Sequence, residues 1–450
     1  MHINNLPFTA EVFAEPGLPV FGAPSNASAQ WDKPPHRAER VGGAPLLQGF
    51  QKTLAPVLFL AIVIYCAQPL IAAPDQGDHW VGTWGASPQL TEPRNLPPAP
   101  GLTSNTLRQV VQVSIGGKHL RVRFSNAFGT NPVTMSSVHL ALSAGKSGIQ
   151  TNSDQALIFQ GKPLVTIPGG ESVISDPFDF DLAPLSDLAV TIDFGDTSAA
   201  VTGHPGSRST SYLQSGDAVS AAAMPAAART QHWYFLNGID VEAEASSAAI
   251  VALGDSITDG RGSGTDRNDR WPDDLARRLQ TGENTANIAV LNEGIGGNCV
   301  LHGGLGPTAL SRFERDVLSQ SGVRWLIVLE GVNDIGGSRN ASVATNLIAA
   351  YDKMIEQAHA RQIRVYGATI LPFGSSFYDS PTHEAARKAV NDWIRTGGRF
   401  DAVIDFDAAL RDPQNPSRLL PAADSGDHLH PNENGYKMMA DAIDLKLFEN

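Results

Sequence analysis

The chain has 450 residues, enough for two or three domains. Hydrophobic residues make up 42% and charged residues 18%, the balance of a protein that buries a core, which excludes a disordered or fibrous chain. The net charge is −13 and Lys and Arg are not clustered, which argues against nucleic acid and against anionic membrane surfaces as partners.

Residues 1–73 carry four acids (Glu11, Glu15, Asp32, Glu39) and four bases (Lys33, Arg37, Arg40, Lys52), so the acidity belongs to the remainder. The first 50 residues are rich in Pro, Gly and Ala and have no hydrophobic period. Residues 54–73 are apolar, with a short core from Val57 to Ala67, Lys52 before it and the small residues Ala72 and Ala73 at its end. That is the pattern of a signal-peptide core with a small-residue cleavage site, too short for a full membrane span. A secreted or periplasmic protein is expected, with a membrane anchor made by the same segment as the alternative. The segment lies unusually late, and a start downstream of Met1 would need a codon other than Met. Of the two cysteines, Cys66 falls in this segment and Cys299 is left alone, so the fold does not depend on a disulfide. Cys299 reads as a small packing residue.

Residues 78–245 read as an all-β domain. Strand-like runs occur at His79–Trp84, Thr106–Ile115, His119–Asn126, Val138–Leu142, Ala156–Phe159, Leu164–Ile167, Leu188–Phe194 and Trp233–Val241. Leu120, Val122 and Phe124 alternate with polar residues, and Gly116-Gly117 precedes them, so Thr106–Ile115 and His119–Asn126 are expected to form a hairpin. Many short strands without helical periods suggest a β-sandwich or jelly roll. The stretch Ser198–Ala228, rich in Ala, Gly and Ser, reads as a long mobile loop. Trp80, Trp84, Tyr212, Trp233 and Tyr234 are candidate sugar platforms, although aromatics on strands more often belong to a core.

Residues 247–450 alternate strands and helices. Ser247–Leu253, Ile288–Leu291, Trp325–Leu329, Ile363–Leu371 and Ala402–Phe406 read as strands, and Asp273–Leu279, Ala309–Gln320 and Val343–Arg361 as helices. This order predicts a three-layer α/β/α fold around a parallel sheet. The Pro372–Thr382 loop follows a strand end and is placed either along a substrate cleft or on the surface around a buried aromatic anchor.

Chemistry collects at the strand ends of this second half. Ser256, in Gly254-Asp255-Ser256-Ile257-Thr258-Asp259-Gly260, sits on the turn that leaves the first strand, at the carboxyl edge where open α/β sheets place their sites. A serine hydroxyl is a weak nucleophile without a base, an orienting acid and oxyanion donors. Asp427 and His430 are three residues apart and can share a turn, with His430 as base and Asp427 as its partner. His428 is the competing base, but it lies one residue from Asp427. The stretches Asn292–Asn298 and Gly331–Asp334 each follow an apolar strand, and a glycine amide and an asparagine side-chain NH2 are suitable donors for a developing oxyanion. The 12 histidines are scattered, so no metal site is expected.

Ser256, Gly297, Asn333 and His430, in that order, resemble the SGNH (GDSL) hydrolase superfamily over roughly residues 247–450. The resemblance implies a flavodoxin-like catalytic domain with Ser256 as nucleophile. It implies an oxyanion hole of Ser256 N–H, Gly297 N–H and the Asn333 side chain. It implies His430 as base with Asp427 as its partner, and no cofactor. The first motif carries Ile257 where the family has leucine, a volume-conserving exchange. With the preceding β-domain the chain is similar to bacterial arylesterase-like and xylan-acetylesterase-like members. The expectation is a secreted serine ester hydrolase removing short acyl groups from a polysaccharide. A general arylesterase or lipase is the enzymatic alternative. A catalytically idle glycan-binding or adhesion protein is the alternative of another class.

Overall fold

The structure is a computed structural model and describes residues 79–449; the N-terminal extension and the apolar segment 54–73 lie outside the described residues. The first run of antiparallel strands ends with Leu236–Glu242, and a parallel sheet begins six residues later with Ala248–Gly254.

The five parallel strands are β1 (Ala248–Gly254), β2 (Ile288–Gly294), β3 (Val323–Leu329), β4 (Arg364–Ala368) and β5 (Ala402–Ile404), in the spatial order β2-β1-β3-β4-β5. β1 is buried along its whole length, as an apolar run must be when both faces of a parallel sheet are covered. Gly254, its last residue, pairs with Gly294 of β2 and with Leu329 of β3. This flush register brings the segments after all three strands out side by side. Since β2 and β3 lie on opposite sides of β1, the chain departs in both directions there, the arrangement that opens a crevice at the carboxyl edge of such sheets.

The antiparallel region forms two main sheets. One contains Trp80–Gly85, Leu236–Glu242, Gly117–Ser125 and Phe178–Leu182; the other is built around Ser211–Ser215, Asn105–Gln112, Asp187–Phe194 and Val133–Gly145. The expected hairpin is therefore not formed: its two strands, Asn105–Gln112 and Gly117–Ser125, belong to different sheets. The linker binds elsewhere, because Ser114 Oγ donates to Thr83 O at 2.7 Å and Ile115 N to Thr83 Oγ1 at 3.0 Å. A Cβ on Gly116 would lie 2.2 Å from Leu182 O, so the Gly-Gly pair serves a close chain crossing instead of a reversal. Alternation reports which face is buried and says nothing about which strand lies alongside.

Two further expectations are corrected. The stretch 198–228 contains the strands Thr202–His204 and Ser211–Ser215 and is largely tied down. Its small polar residues are buried by backbone hydrogen bonds, such as Ser209 Oγ to Val110 O and Ser211 Oγ to His232 O, both at 2.8 Å. The helix expected over 309–320 is α-helical only for Ala309–Phe313 and continues as a π-helical turn over Glu314–Leu318.

The strand Trp80–Gly85 lies against β2, and its glycines make the approach possible: a Cβ on Gly82 would meet Leu291 Cδ1 at 2.9 Å, and one on Gly85 would meet Glu293 Oε1 at 2.5 Å. The buried apolar core is continuous across the antiparallel and parallel regions.

Candidate active site

β1 ends in glycine for a steric reason. A Cβ on Gly254 would lie 2.0 Å from Thr258 Oγ1 and 2.9 Å from Leu329 O. The next residue, Asp255, accepts from Ile257 N at 2.9 Å and so caps the short helix α1, Ser256–Asp259. Ser256 opens that helix, so its amide is a helix-start donor with no intrahelical acceptor. Gly260 closes it in a left-handed conformation, φ 101°.

Ser256 Oγ lies 2.8 Å from His430 Nε2, and His430 Nδ1 lies 2.7 Å from Asp427 Oδ2. The residues are 174 positions apart at the first contact and three at the second. Asp427 also fixes the loop locally, its Oδ1 accepting from Leu429 N at 3.0 Å and from His430 N at 2.9 Å. Burial pushes the Asp427 carboxyl up, but the hydrogen bonds and charge of His430 outweigh it and hold the group at about 2. An ionised Asp427 requires the proton on Nδ1, which leaves Nε2 as an acceptor for the serine hydroxyl. Burial lowers the His430 pKa below the ordinary histidine value, against the pull of Asp427, and the charges of Arg261 and Arg208 lower it further. A neutral imidazole is what a general base needs. The competitor, His428, pairs instead with Asp424, Nδ1 to Oδ2 at 2.6 Å, on an exposed turn.

Gly297 and Asn333 line the same cleft as Ser256 and His430. Gly297 has a left-handed backbone, φ 73°, and its carbonyl accepts from Leu305 N at 3.0 Å. Asn333 donates through Nδ2 to Asn298 O at 2.8 Å and accepts at Oδ1 from the Tyr378 hydroxyl at 3.0 Å. These two bonds fix the amide plane and leave the second Nδ2 hydrogen for a ligand. Tyr378 comes from the Pro372–Thr382 loop, which therefore lines the cleft. In the same loop Phe373 is buried and Phe377 is 73% exposed. Cys299 is buried near this loop, and its thiol is pushed up to about 12, first by burial and then by nearby carboxylates, which leaves it inert.

Behind these residues lies a buried network that no local motif announces. The Arg312 side chain is fully buried. It donates to Gly254 O at the end of β1 (3.1 Å), to Glu293 O at the end of β2 (2.7 Å), and to Glu330 Oε1 just after β3 (3.3 Å). It also reaches Asn298 Oδ1 at 3.1 Å and Asp316 Oδ2 at 3.2 Å. One guanidinium thus ties the three strand ends to the residue whose carbonyl holds Asn333. The surplus of acids shows in their pKa values. Burial, reinforced by Asp316, raises Glu293 to about 8; burial, reinforced by Asp334 and Asp259, raises Asp255 to about 7. A single arginine in a short helix gives no hint of this role, since a solvated arginine reads the same in sequence.

The antiparallel region also reaches the site. His204 Nε2 lies 2.9 Å from Asp259 Oδ1 on α1, while its Nδ1 faces Ser87 O at 2.9 Å. The cleft around Ser256 has a volume of about 260 Å³ and is walled partly by Glu92, Arg94, Gly206 and Arg208 of that region. A second cleft, of about 530 Å³, adjoins it at Gly297, Leu305, Asn333 and Tyr378. Among the candidate sugar platforms, Trp84, Tyr212, Trp233 and Tyr234 are buried in the core, and Trp80 is half-buried with Arg121 stacked 4.4 Å from its ring centre.

Residues 252–438 match the model of the GDSL-like lipase/acylhydrolase family. Solved structures similar to the chain include a protein assigned to the lipolytic G-D-S-L family from Desulfitobacterium hafniense (24% identity, 44% of this chain and 97% of that one, TM-score 0.35). Another is the acetylxylan esterase Axe2 from Geobacillus stearothermophilus (20%, 44% and 94%, TM-score 0.34). A third is a GDSL-like lipase from Bacteroides thetaiotaomicron (19%, 43% and 84%, TM-score 0.33). No curated protein matches. Residues 252–438 are a GDSL-like lipase/acylhydrolase domain, and the chain is a serine ester hydrolase of that type.

Proposed function

We propose that the protein is an exported carbohydrate esterase that removes short acyl groups, acetyl foremost, from a polysaccharide by way of an acyl-enzyme. Ser256 attacks the ester carbonyl as His430 takes its proton. Asp427 holds the imidazole tautomer and stabilises the imidazolium. The amides of Ser256 and Gly297 and the Asn333 side chain receive the oxyanion. His430 returns the proton to the leaving alcohol, then activates the water that releases the acid. The observation that carries this reading is the continuous relay Ser256 Oγ–His430–Asp427, with contacts of 2.8 and 2.7 Å.

The cleft around Ser256, of about 260 Å³, holds a short acyl group by itself. The exposed ring of Phe377 at its rim offers a face on which a sugar can stack. Export rests on the apolar segment 54–73 and is checked by N-terminal sequencing of secreted protein.

The test is acetate release from acetylated xylan, run beside p-nitrophenyl acetate and p-nitrophenyl octanoate, with Ser256→Ala as control. Acetate from the polymer, lost in the variant, is the expected result. A clear preference for octanoate would favour the lipase or arylesterase reading. Turnover that persists in Ser256→Ala would remove Ser256 as nucleophile.

A further inference from the structure

Three arginines converge on the Ser256 cleft of a protein whose net charge is −13: Arg94, Arg208 and Arg261. Their position relative to the reaction follows from His430. Arg261 lies on the His430 side of Ser256, its Nε 3.9 Å from the Asp427 carboxylate that holds the imidazole, and Arg208 lies 3.6 Å from Asp259 on the helix that carries Ser256, both charges being felt at His430. A base that hands its proton to the leaving alcohol faces the alcohol half of the ester. Arg261 therefore stands towards the alcohol moiety, with Arg208 and Arg94 in the wall of the same cleft, whereas Gly297 and Asn333 face the carbonyl oxygen.

The cations have capacity left for a ligand. Arg94 is exposed and has no hydrogen-bond or ion-pair partner among the described residues. Arg261 is 62% exposed and reaches Asp427 only at 3.9 Å. Arg208 approaches the buried Asp259 at 3.6 Å, and its Nε has no hydrogen-bond partner among the described residues. The acids of the cleft are already engaged. Glu92 accepts from Gln89 Nε2 at 2.8 Å and Asn95 Nδ2 at 2.9 Å, and Asp259 accepts from His204.

Arg208 is also held in place at a cost. It adopts a left-handed backbone, φ 52°, unusual for a residue with a Cβ. The flanking chain is pinned by Ser209 Oγ to Val110 O at 2.8 Å and by Thr210 N to Asp266 Oδ1 at 2.6 Å. Strain of this kind persists where the surroundings fix a side chain for a task.

We propose that Arg94, Arg208 and Arg261 form an anion subsite beside Ser256, and that the ester taken by this cleft carries a carboxylate on its alcohol moiety. In chemical class the alcohol is a sugar acid, and the polymer an acylated, uronate-bearing polysaccharide. This rests on the esterase reading above and narrows its substrate. A guanidinium fork matches a carboxylate in two parallel hydrogen bonds. The local cations also offset the repulsion that an acidic protein exerts on an acidic polymer.

The test compares kcat/KM for 4-acetoxybenzoate with that for its neutral methyl ester, using the full chain, Arg208→Gln and Arg94→Gln. The ratio of the two esters, compared between wild type and variant, cancels the difference in leaving ability of the two phenols. Arg208→Gln is expected to lower the charged-to-neutral ratio roughly tenfold, the worth of about one charge-assisted hydrogen bond. Arg94→Gln, at an exposed residue without contacts, is expected to lower it in the same direction, and added salt should shrink the wild-type ratio. Equal ratios in wild type and both variants would overturn the anion subsite while leaving the esterase reading intact. Failure of the wild type to turn over either ester would overturn the esterase reading, and the subsite with it.

Discussion

Asp259 and His204 are joined by a 2.9 Å hydrogen bond between the helix that carries Ser256 and a strand of the antiparallel region, both side chains being buried. The second Asp259 oxygen has no hydrogen-bond partner among the described residues and meets Arg208 only at 3.6 Å, so His204 is the carboxylate's principal support. His204→Phe is expected to lower unfolding free energy by about 2 kcal/mol, the typical penalty for a buried polar group left without its partner. Esterase activity on p-nitrophenyl acetate should fall with it, because α1 loses its tether. Denaturant unfolding and kcat/KM check the two effects separately; unchanged stability would show that the contact carries no weight.

Asp427→Asn should reduce kcat by roughly 10³- to 10⁴-fold with little change in KM, since the relay loses the group that holds the His430 tautomer. The fold should survive, as the side chain is partly exposed. A loss of less than tenfold would remove Asp427 from the relay.

Asn333→Ala should cost on the order of 100- to 1000-fold in kcat through loss of an oxyanion donor. Tyr378→Phe removes the hydroxyl that fixes the amide plane and is expected to cost about tenfold, an effect on kcat more than KM. If the tyrosine variant matched wild type, Asn333 would be oriented by Asn298 alone.

The pH–rate profile follows from His430. Its folded-state pKa is lowered, so kcat/KM should fall on the acid side with a midpoint below 6.5, where protonation removes the acceptor for the Ser256 proton. Asp427 raises that pKa, so Asp427→Asn should move the limb to still lower pH. A wild-type midpoint above 6.5 would contradict the burial of the imidazole.

Stability should respond to pH in the opposite way. Glu293 is raised from an ordinary 4.5 to about 8, chiefly by burial, so between those values the folded state binds a proton that the unfolded state has released. Its contribution is complete below about 4.5 and is lost as pH rises towards 8. The melting temperature should decline across that window, and Glu293→Gln, which stays neutral, should flatten the decline. A slope unaffected by the substitution would place the proton elsewhere in the Arg312 cluster.

The sequence by itself carried what depends on short-range order. The apolar run of β1, the glycine that ends it and the serine beyond are contiguous, and so are Asp427 and His430. Strand-helix alternation after residue 247 fixed a parallel sheet, because a run buried on both faces must be apolar throughout. Tertiary structure decided everything that depends on which distant segments meet. It placed Asn105–Gln112 and Gly117–Ser125 in different sheets, since a period of two encodes a buried face and not a partner. It drew Arg312 to three strand ends and His204 to Asp259, and it set Arg94 and Arg208 beside Ser256. A lone arginine or histidine reads as a surface residue until burial and a carboxylate from elsewhere in the chain give it a role. The contact between Ser256 and His430 spans 174 positions, and the flush register at Gly254, Gly294 and Leu329 is what builds the edge on which that contact forms.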